Sequence, residues 1–289
     1  DPAMRLERIG TELHCSGKLT GGEFEIAGNV SSQFISGLLF ALPLLDTDST
    51  LTVTGKLESS AYIAMTENAL RQSGIEFAKN DNVYAIPGNQ RYRLNEACTV
   101  EGDLSNAAFF LCMGALSDKG VTVKNIPEHT SQGDKKIIDI LRSFGADVAV
   151  NGDSVAVKKG RLTACTVDAS EIPDLVPVVS VVAAAAEGDT HIINAARVRL
   201  KESDRLMTTA TLLCSLGASV EELPDGLIIH GGRPLHGGTI GSFNDHRIAM
   251  SAAVAACICT EPVTVTGCEC VNKSFPRFWE NFSGLECGQ

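Results

Sequence analysis

A Leu-X-X-X-Gly pattern recurs through this chain of 289 residues and strongly limits the folds open to it. It stands at residues 70–74, 141–145 and 213–217, so the spacings are 71 and 72 residues. In each copy the leucine closes an apolar helical pattern, and the glycine stands where a helix C-cap needs a left-handed residue. The chain is therefore predicted to contain several copies of one supersecondary unit.

A second pattern recurs at the predicted junctions between strands and helices. Residues 28–33 align without gaps on residues 102–106 and beyond at an offset of 74, and later versions stand at 172–174 and 243–247. The predicted helices, from apolar periodicity, are 33–44, 62–73, 106–116, 134–144, 175–186, 204–216 and 247–259. The predicted strands, from β-branched runs, are 50–54, 75–77, 83–86, 98–101, 121–126, 147–150, 154–157, 190–194, 226–230 and 262–267.

A unit of about seventy residues with two helices and about four strands implies helices packed on sheets, an α/β (α+β) fold class. A solenoid is the alternative, although solenoid repeats usually have about 20–50 residues. The first copy begins in mid-unit, since nothing before Gly21 resembles a preceding strand–helix pair. We therefore expect that an amino-terminal part of the parent protein is absent.

Composition disfavours several classes of protein. The chain has 24 Lys and Arg against 35 Asp and Glu, and its net charge of −11 repels nucleic acid. The longest apolar run, 176–186, is shorter than the roughly 18 residues that a membrane span needs, which predicts a soluble protein. Ten scattered cysteines fit a reducing cytoplasm better than a disulfide scaffold. The pairs Cys257/Cys259 and Cys268/Cys270 have one-residue spacers, which disfavours a zinc site.

Polar residues recur at the start of the first helix of each copy, where free amides and the helix dipole could bind an anion. These junction residues are Ser31, Ser32, Gln33, Ser105, Asn106, Asp174, Asn244, Asp245, His246 and Arg247. Helix capping alone explains any single junction. His246 and Arg247 go beyond what a cap requires, because cations at a helix N-terminus oppose its dipole unless an anion binds there.

The loops before the second helices carry charge. In the third copy Arg197, Arg199, Lys201 and Arg205 lie within nine residues, with Glu202 and Asp204 among them. A solvated helix start with salt bridges is one interpretation. The other is an anion site, because Lys201, Arg205, Arg247 and Lys273 all stand at repeat-equivalent ends of elements in a chain that has few cations.

Four motifs resemble those of the 5-enolpyruvylshikimate-3-phosphate synthase family. They are Arg-Leu-Lys-Glu-Ser-Asp-Arg at 199–205, Asn-Asp-His-Arg-Ile-Ala-Met at 244–250, Gly-Asn-Val-Ser-Ser-Gln-Phe at 28–34 and Glu-Gly-Asp at 101–103. The resemblance runs in order from about Leu19 to Phe282. It implies two domains of repeated β-α-β-α-β-β units, an inverse αβ barrel, with residues 1–98 as the remaining repeat of the first domain and 99–289 as the second.

The resemblance also implies an activity: transfer of the enolpyruvyl group of phosphoenolpyruvate to the 5-hydroxyl of shikimate 3-phosphate. It implies no metal or organic cofactor. Together with the composition, it leads us to expect no nucleic-acid or membrane partner and a cytoplasmic monomer. By this resemblance shikimate 3-phosphate would contact Ser31, Ser32, Gln33, Ser59, Tyr62, Asp174 and Lys201. Phosphoenolpyruvate would contact Gln33, Arg205, Arg247 and Lys273. Asp174 would take the proton of the attacking hydroxyl, Glu202 would handle the proton at the methylene carbon, and His246 would support these residues from behind.

The chain also departs from the family pattern. It lacks the Gly-Ser-Lys-Ser segment, the Gly-Asn-Ala-Gly-Thr loop and the upstream phosphate-binding Arg of the family. We therefore expect the carboxy-terminal two-thirds of a synthase, with negligible turnover alone, because lost phosphate contacts remove transition-state stabilisation. Three alternatives stay open: a UDP-sugar enolpyruvyl transferase, an RNA-end-processing cyclase that the net charge disfavours, and a non-catalytic binding fragment.

Overall fold

The computed structural model describes residues 4–57, 60–94, 97, 99–127 and 129–286, which fall into two units, Asp1–Val100 and Glu101–Gln289. Each unit has an apolar cluster of its own. Ser59, one of the predicted site residues, lies outside the described residues. Among the helices formed by these residues, none has the length and apolar content needed to cross a bilayer.

The first unit contains a hairpin and one four-stranded sheet. Its elements are β1 (Met4–Ile9), β2 (Glu12–Gly17), β3 (Glu23–Ala27), α1 (Ser32–Ala41), β4 (Ser49–Thr54), α2 (Ser60–Gln72), β5 (Ala78–Asn80) and β6 (Val83–Ile86). The sheet has the order β3-β4-β6-β5, in which β3 and β4 are parallel and the other pairs antiparallel. Alternate residues of β4 are buried, as expected for a strand with one face on a core. Helices α1 and α2 pack against each other.

The second unit repeats this order of elements. They are α3 (Leu104–Leu116), β7 (Val121–Val123), α4 (Ile137–Phe144), β8 (Asp147–Asn151), β9 (Ser154–Lys158), β10 (Thr166–Asp168), α5 (Val176–Ala185), β11 (Asp189–Ile193), α6 (Arg205–Ser215), β12 (Ser219–Leu223), β13 (Gly226–His230), β14 (Gly238–Gly241), α7 (His246–Ala256), β15 (Val263–Thr266) and α8 (Phe278–Glu286). The sheets are ordered β7-β9-β8, β10-β11-β13-β12 and β14-β15. Short 3₁₀ turns, at Gly133–Lys136, Pro173–Leu175, Ala196–Leu200 and Cys268–Lys273, precede α4, α5, α6 and α8.

Three helices of the second unit, α3, α5 and α7, form its interior. They pack against one another, and nearly every residue of each is buried. Their small and β-branched residues allow this close approach, whereas β9 and β13 bury mainly alternate residues. Helices therefore lie inside and sheets outside, which leaves the amino-terminal ends of the three inner helices to position polar side chains.

The repeated Leu-X-X-X-Gly pattern forms the same helix ending three times. The amide of Gly74 donates to the carbonyl of Arg71 and the amide of Ile75 to that of Leu70, which is the Schellman arrangement. The same pair of bonds closes α4 around Gly145 and α6 around Gly217, and all three glycines have positive φ. The predicted glycine caps are confirmed.

Two predicted strands are wrong in position. Residues 75–77 are not a strand, because Ile75 belongs to the helix ending and the strand begins three residues later as β5. Residues 99–101 of the predicted strand 98–101 are also irregular, and Cys98 lies outside the described residues. Six strands were missed: β1, β2, β3, β10, β12 and β14. Of these, β12 carries two consecutive glutamates and β10 has three residues, so neither gives a period-two apolar signal.

Candidate active site

Side-chain caps fix the beginnings of α3, α6 and α7 in the second unit. Asp103 accepts hydrogen bonds from the amides of Ser105 and Asn106 at the start of α3. Asp245 accepts from the amide of Arg247 at the start of α7, and Asp204 from that of Met207 at the start of α6. Asp174 differs, because it lies in the 3₁₀ turn before α5 and makes no cap hydrogen bond. Its carboxylate is left for other partners.

Asp174 contacts three of the predicted cations. Its Oδ1 lies 2.7 Å from Arg205 Nη1 and 3.3 Å from Lys201 Nζ, and its Oδ2 lies 3.3 Å from Arg247 Nη2. Burial alone would raise the pKa of Asp174, but Arg247, Lys201 and Arg205 outweigh burial and hold the pKa far below its usual range. The carboxylate is therefore ionised at any physiological pH.

Arg205 is 1% exposed, and each of its three side-chain nitrogens donates to a carboxylate. Nε and Nη2 bind Asp245 at 2.8 and 3.2 Å, Nη1 binds Asp174, and Nη2 also binds Glu202 at 2.7 Å. Burial lowers the pKa of Arg205, but Asp245, Asp174 and Glu202 together raise it above its ordinary value. In this structure the guanidinium of Arg205 therefore binds three carboxylates of the protein itself.

Glu202 bridges two of the cations. Its Oε2 accepts from Arg205, and its Oε1 lies 2.6 Å from Lys273 Nζ, which is largely exposed. Burial would raise the pKa of Glu202, but the hydrogen bond from Lys273 and the charge of Arg205 lower it to about 2. Lys273 is thereby brought to the same cluster as Lys201, Arg205 and Arg247.

Arg247 joins this cluster to α3. Its Nη2 donates to Ser105 Oγ at 3.0 Å and its Nη1 to the Ser105 carbonyl at 3.3 Å. Its buried Nε has no hydrogen-bond partner within the described part of the chain. His246 beside it is buried, and burial together with the charge of Arg247 lowers its pKa, so the imidazole is neutral near pH 7. Its Nδ1 is 3.9 Å from Asp245 Oδ1, too far for a hydrogen bond.

The structure thus brings together six predicted site residues of the second unit and places His246 next to them. The six are Asp174, Lys201, Glu202, Arg205, Arg247 and Lys273. The set of predicted site residues did not include Asp245 or Ser105, although both stand in the repeated junction motifs. With Asp245 the cluster holds four cations and three carboxylates. Across the residues the structure describes, no three His, Cys, Asp or Glu side chains are grouped so as to hold a metal ion.

Those predicted site residues of the first unit that the structure describes lie at the starts of its two helices. Ser31 caps α1 by accepting a hydrogen bond from the amide of Gln33, at 3.2 Å. Ser32 is buried and Gln33 is exposed in the first turn of α1, and Tyr62 is in the first turn of α2. These helix starts offer hydroxyl groups and amides of the kind that bind phosphate.

Comparisons with solved structures define the class of protein. An EPSP synthase from Acinetobacter baumannii superimposes with a TM-score of 0.79 at 26% identity, over 98% of this chain and 67% of that one. The enolpyruvyl transferase NikO from Streptomyces tendae shares the fold, with a TM-score of 0.75 at 18% identity over 98% and 68% of the two chains. The predicted mixed α/β fold is confirmed, and it is the fold of enolpyruvyl transferases.

Sequence comparisons define the family. Residues 3–282 match the family described as EPSP synthase (3-phosphoshikimate 1-carboxyvinyltransferase). The 3-phosphoshikimate 1-carboxyvinyltransferases of Clostridium novyi (strain NT) and Clostridium acetobutylicum are 46% and 48% identical over 93% and 94% of this chain. The chain belongs to the EPSP synthase family. It spans 62% and 63% of the length of those two relatives.

Proposed function

We propose that this chain takes part in the transfer of the enolpyruvyl group from phosphoenolpyruvate to the 5-hydroxyl of shikimate 3-phosphate, with release of phosphate. The observation that carries the proposal is the contact of the Asp174 carboxylate with Lys201, Arg205 and Arg247. Two anionic ligands repel each other, so joining them requires cations fixed in place before the reaction. Membership of the EPSP synthase family supports the same reaction.

Asp174 is the proposed general base. Its depressed pKa makes it a weak base, so it acts by position. The proton leaves the 5-hydroxyl for Asp174 while the hydroxyl oxygen attacks C2 of phosphoenolpyruvate and C3 gains a proton. The product of this step is a tetrahedral adduct. In its breakdown the bond between C2 and the phosphate oxygen breaks and phosphate leaves. C3 gives its proton back to the group that supplied it, which restores the double bond between C2 and C3.

Glu202 is the proposed carrier of the C3 proton, and its pairing with Lys273 bears on that role. With both cations on its carboxylate the pKa of Glu202 is about 2, too low for a useful acid. The anionic groups of phosphoenolpyruvate would take Lys273, Arg205 and Arg247 as partners, and the contacts of Glu202 with its two cations, Lys273 and Arg205, would weaken. Its pKa would then rise towards its ordinary value, so ligand binding itself would prepare the acid.

The family resemblance supplies the proposed ligand contacts residue by residue. Lys201 and Asp174, with Ser31, Ser32, Gln33 and Tyr62, are proposed to hold shikimate 3-phosphate. Arg205, Arg247, Lys273 and Gln33 are proposed to hold phosphoenolpyruvate, with His246 as a neutral support. The capped start of α1 supports the first assignment, and the unpartnered Nε of Arg247 supports the second.

We also propose that turnover requires polypeptide beyond these 289 residues, and that the protein is a cytoplasmic monomer. The absent lysine- and arginine-containing family motifs support the first statement. Scattered cysteines support the cytoplasm, and the family resemblance supports a monomer.

Calorimetry with shikimate 3-phosphate, and phosphate release with both substrates, test the proposal. We expect weak binding by the chain alone, and turnover only after the amino-terminal third of the Clostridium acetobutylicum relative is added. In that mixture Asp174→Asn should reduce turnover by about 10²–10⁴-fold, because the general base is lost. Asp139→Asn, which alters an exposed carboxylate on α4, is the matched control. Preference for a UDP-sugar or an RNA end would overturn the assignment.

A further inference from the structure

The second unit has another cavity, of about 480 Å³, at the carboxyl ends of the three inner helices. Leu116 ends α3, Ala185 ends α5 and Ile258 follows α7, and all three line it. Leu116 stands eleven positions after Ser105 on α3, so this cavity lies about 17 Å from Ser105 and the charged cluster. It is separate from the candidate active site, and we call it the basic cavity because of the side chains around it.

The walls of the basic cavity are held by backbone hydrogen bonds. The amide of Glu187 donates to the carbonyl of Leu162 at 2.9 Å, and that of Gly232 to Ala184 at 3.1 Å. The amide of Thr260 donates to the carbonyl of Leu235 at 2.9 Å. Gly232 adopts a φ of +75°, which favours glycine there. The segments that line the basic cavity are therefore joined to one another by backbone hydrogen bonds.

Cations border the basic cavity although the chain as a whole is acidic. Lys159, Arg161 and Arg233 line it with Glu187 as the one carboxylate, and Arg161 pairs with Glu187 at 3.1 Å. Throughout the described ranges neither Lys159 nor Arg233 has a side-chain hydrogen bond or an ion pair. Cations near helix C-termini offset the helix dipole, but that effect requires no cavity beside them.

Apolar side chains form the rest of the lining. Leu116, Leu162 and Leu235 are buried, and Ile258 is partly buried against the core. A ligand that suits both parts has a small apolar body, which would contact the leucines, and one negative group, which would contact Lys159 and Arg233. An uncharged apolar molecule would leave the cations unpaired, and a bare inorganic ion would leave the apolar lining uncovered.

We propose that the basic cavity is a binding site for a small amphipathic organic anion, an apolar body that carries one carboxylate or phosphate. Its apolar body would lie against the carboxyl ends of α3, α5 and α7, and its negative group would point away from them towards Lys159 and Arg233, because helix carboxyl ends carry partial negative charge. The amino ends of the same helices, or the turn just before α5, carry Ser105, Asp174 and Arg247, which are hydrogen-bonded to one another through Arg247. The basic cavity and the charged cluster therefore lie at opposite ends of the same three packed helices.

Phenyl phosphate is the test ligand, with benzoate for the carboxylate form and with benzyl alcohol and inorganic phosphate as matched controls. Binding is followed by calorimetry and by NMR shifts of residues 158–162 and 231–235. The chain carries Lys201→Gln and Lys273→Gln, so that the charged cluster binds anions weakly. We expect phenyl phosphate or benzoate to bind more tightly than either control, with shifts at these residues.

Two variants alter the charge of the basic cavity in opposite directions. Arg233→Ala should weaken binding about tenfold or more, because a charge-assisted contact is lost. Glu187→Gln should strengthen it, because Arg161 becomes available to the ligand. Arg142→Ala, which removes an exposed arginine on α4, should leave binding of the test ligand unchanged. Equal binding of benzyl alcohol, or no effect of Arg233→Ala in a chain that circular dichroism shows to be folded, would overturn the proposal.

Discussion

At the scale of single residues, Asp245 fixes Arg205 within the charged cluster. It is fully buried, binds Arg205 through both oxygens, accepts a hydrogen bond from the Ser203 hydroxyl and caps α7. Sequence alone placed it in a junction motif and explained it as a cap. It could not show that a guanidinium 40 positions earlier lies against the same carboxylate, because that contact depends on how α6 and α7 pack.

We expect Asp245→Asn to destabilise the second unit by about 3 kcal/mol, because Arg205 would keep its buried charge and lose one of its counter-charges. Urea unfolding followed by circular dichroism measures this change. Asp139→Asn removes an exposed ion pair and should cost less than about 1 kcal/mol. If the two substitutions lowered the free energy of unfolding equally, the buried ion pair of Asp245 would stabilise the unit no more than an exposed ion pair does.

At the scale of elements, the loop that carries Lys201 and Glu202 is tied down by Arg199. Its Nη1 donates to Asp204 at 2.8 Å and to Glu222 at 2.7 Å, its Nη2 to the Leu223 carbonyl and its Nε to that of Pro224. One side chain therefore joins the cap of α6 to the turn between β12 and β13. Lys201 and Glu202, two residues of the charged cluster, lie in the loop between these contacts.

Replacing Arg199 tests how firmly this loop is held. We expect Arg199→Ala to destabilise the unit by about 1–2 kcal/mol and to increase amide exchange at residues 200–204 by about tenfold or more. Arg199→Lys should not restore slow exchange, because an ammonium group cannot reproduce the planar set of donors. Arg277→Ala, which removes an exposed pair with Glu280, is the control. Unchanged exchange in Arg199→Ala would contradict this role.

Prediction from sequence worked for the elements that have strong local signals. The inner helices and the glycine endings follow from apolar runs and from the need for a left-handed residue at Gly74, Gly145 and Gly217. Short strands such as β10 and β14 were missed because tertiary pairing, and not local pattern, makes them strands. The repeat predicted which cations come together, but it did not predict that carboxylates of the protein itself pair with them.

At the scale of the whole molecule, charge makes stability depend on pH in two directions. The pKa values of Asp174 and Glu202 are lowered in the folded state. Both carboxylates therefore stabilise the fold at pH values above their ordinary pKa values, and this stabilisation is lost as the pH falls. Hydrogen bonds to Asp189 and Glu221 raise the pKa of His230. Protonated His230 therefore stabilises the fold fully at pH values below its ordinary pKa, and this stabilisation is lost as the pH rises.

The free energy of unfolding, measured between about pH 2 and pH 8, should therefore fall at both ends of the range. Glu202→Gln should make the acid side less steep between about pH 4.5 and about pH 2, because only Asp174 of the two carboxylates remains, and should leave the upper side unchanged. His230→Gln should flatten only the upper side, above about 6.5. A wild-type profile with no loss on the acid side would show that the cluster carboxylates are not stabilised in the folded state.

The pairing of Lys201, Arg205, Arg247 and Lys273 with Asp174, Glu202 and Asp245 means that the folded chain supplies its own counter-ions. On the proposed function, an arriving phosphate would replace a tethered carboxylate and would displace few dissolved ions. Its affinity would then vary with ionic strength less steeply than the affinity of four unpaired cations for phosphate, since buried pairs are screened much less than exposed ones.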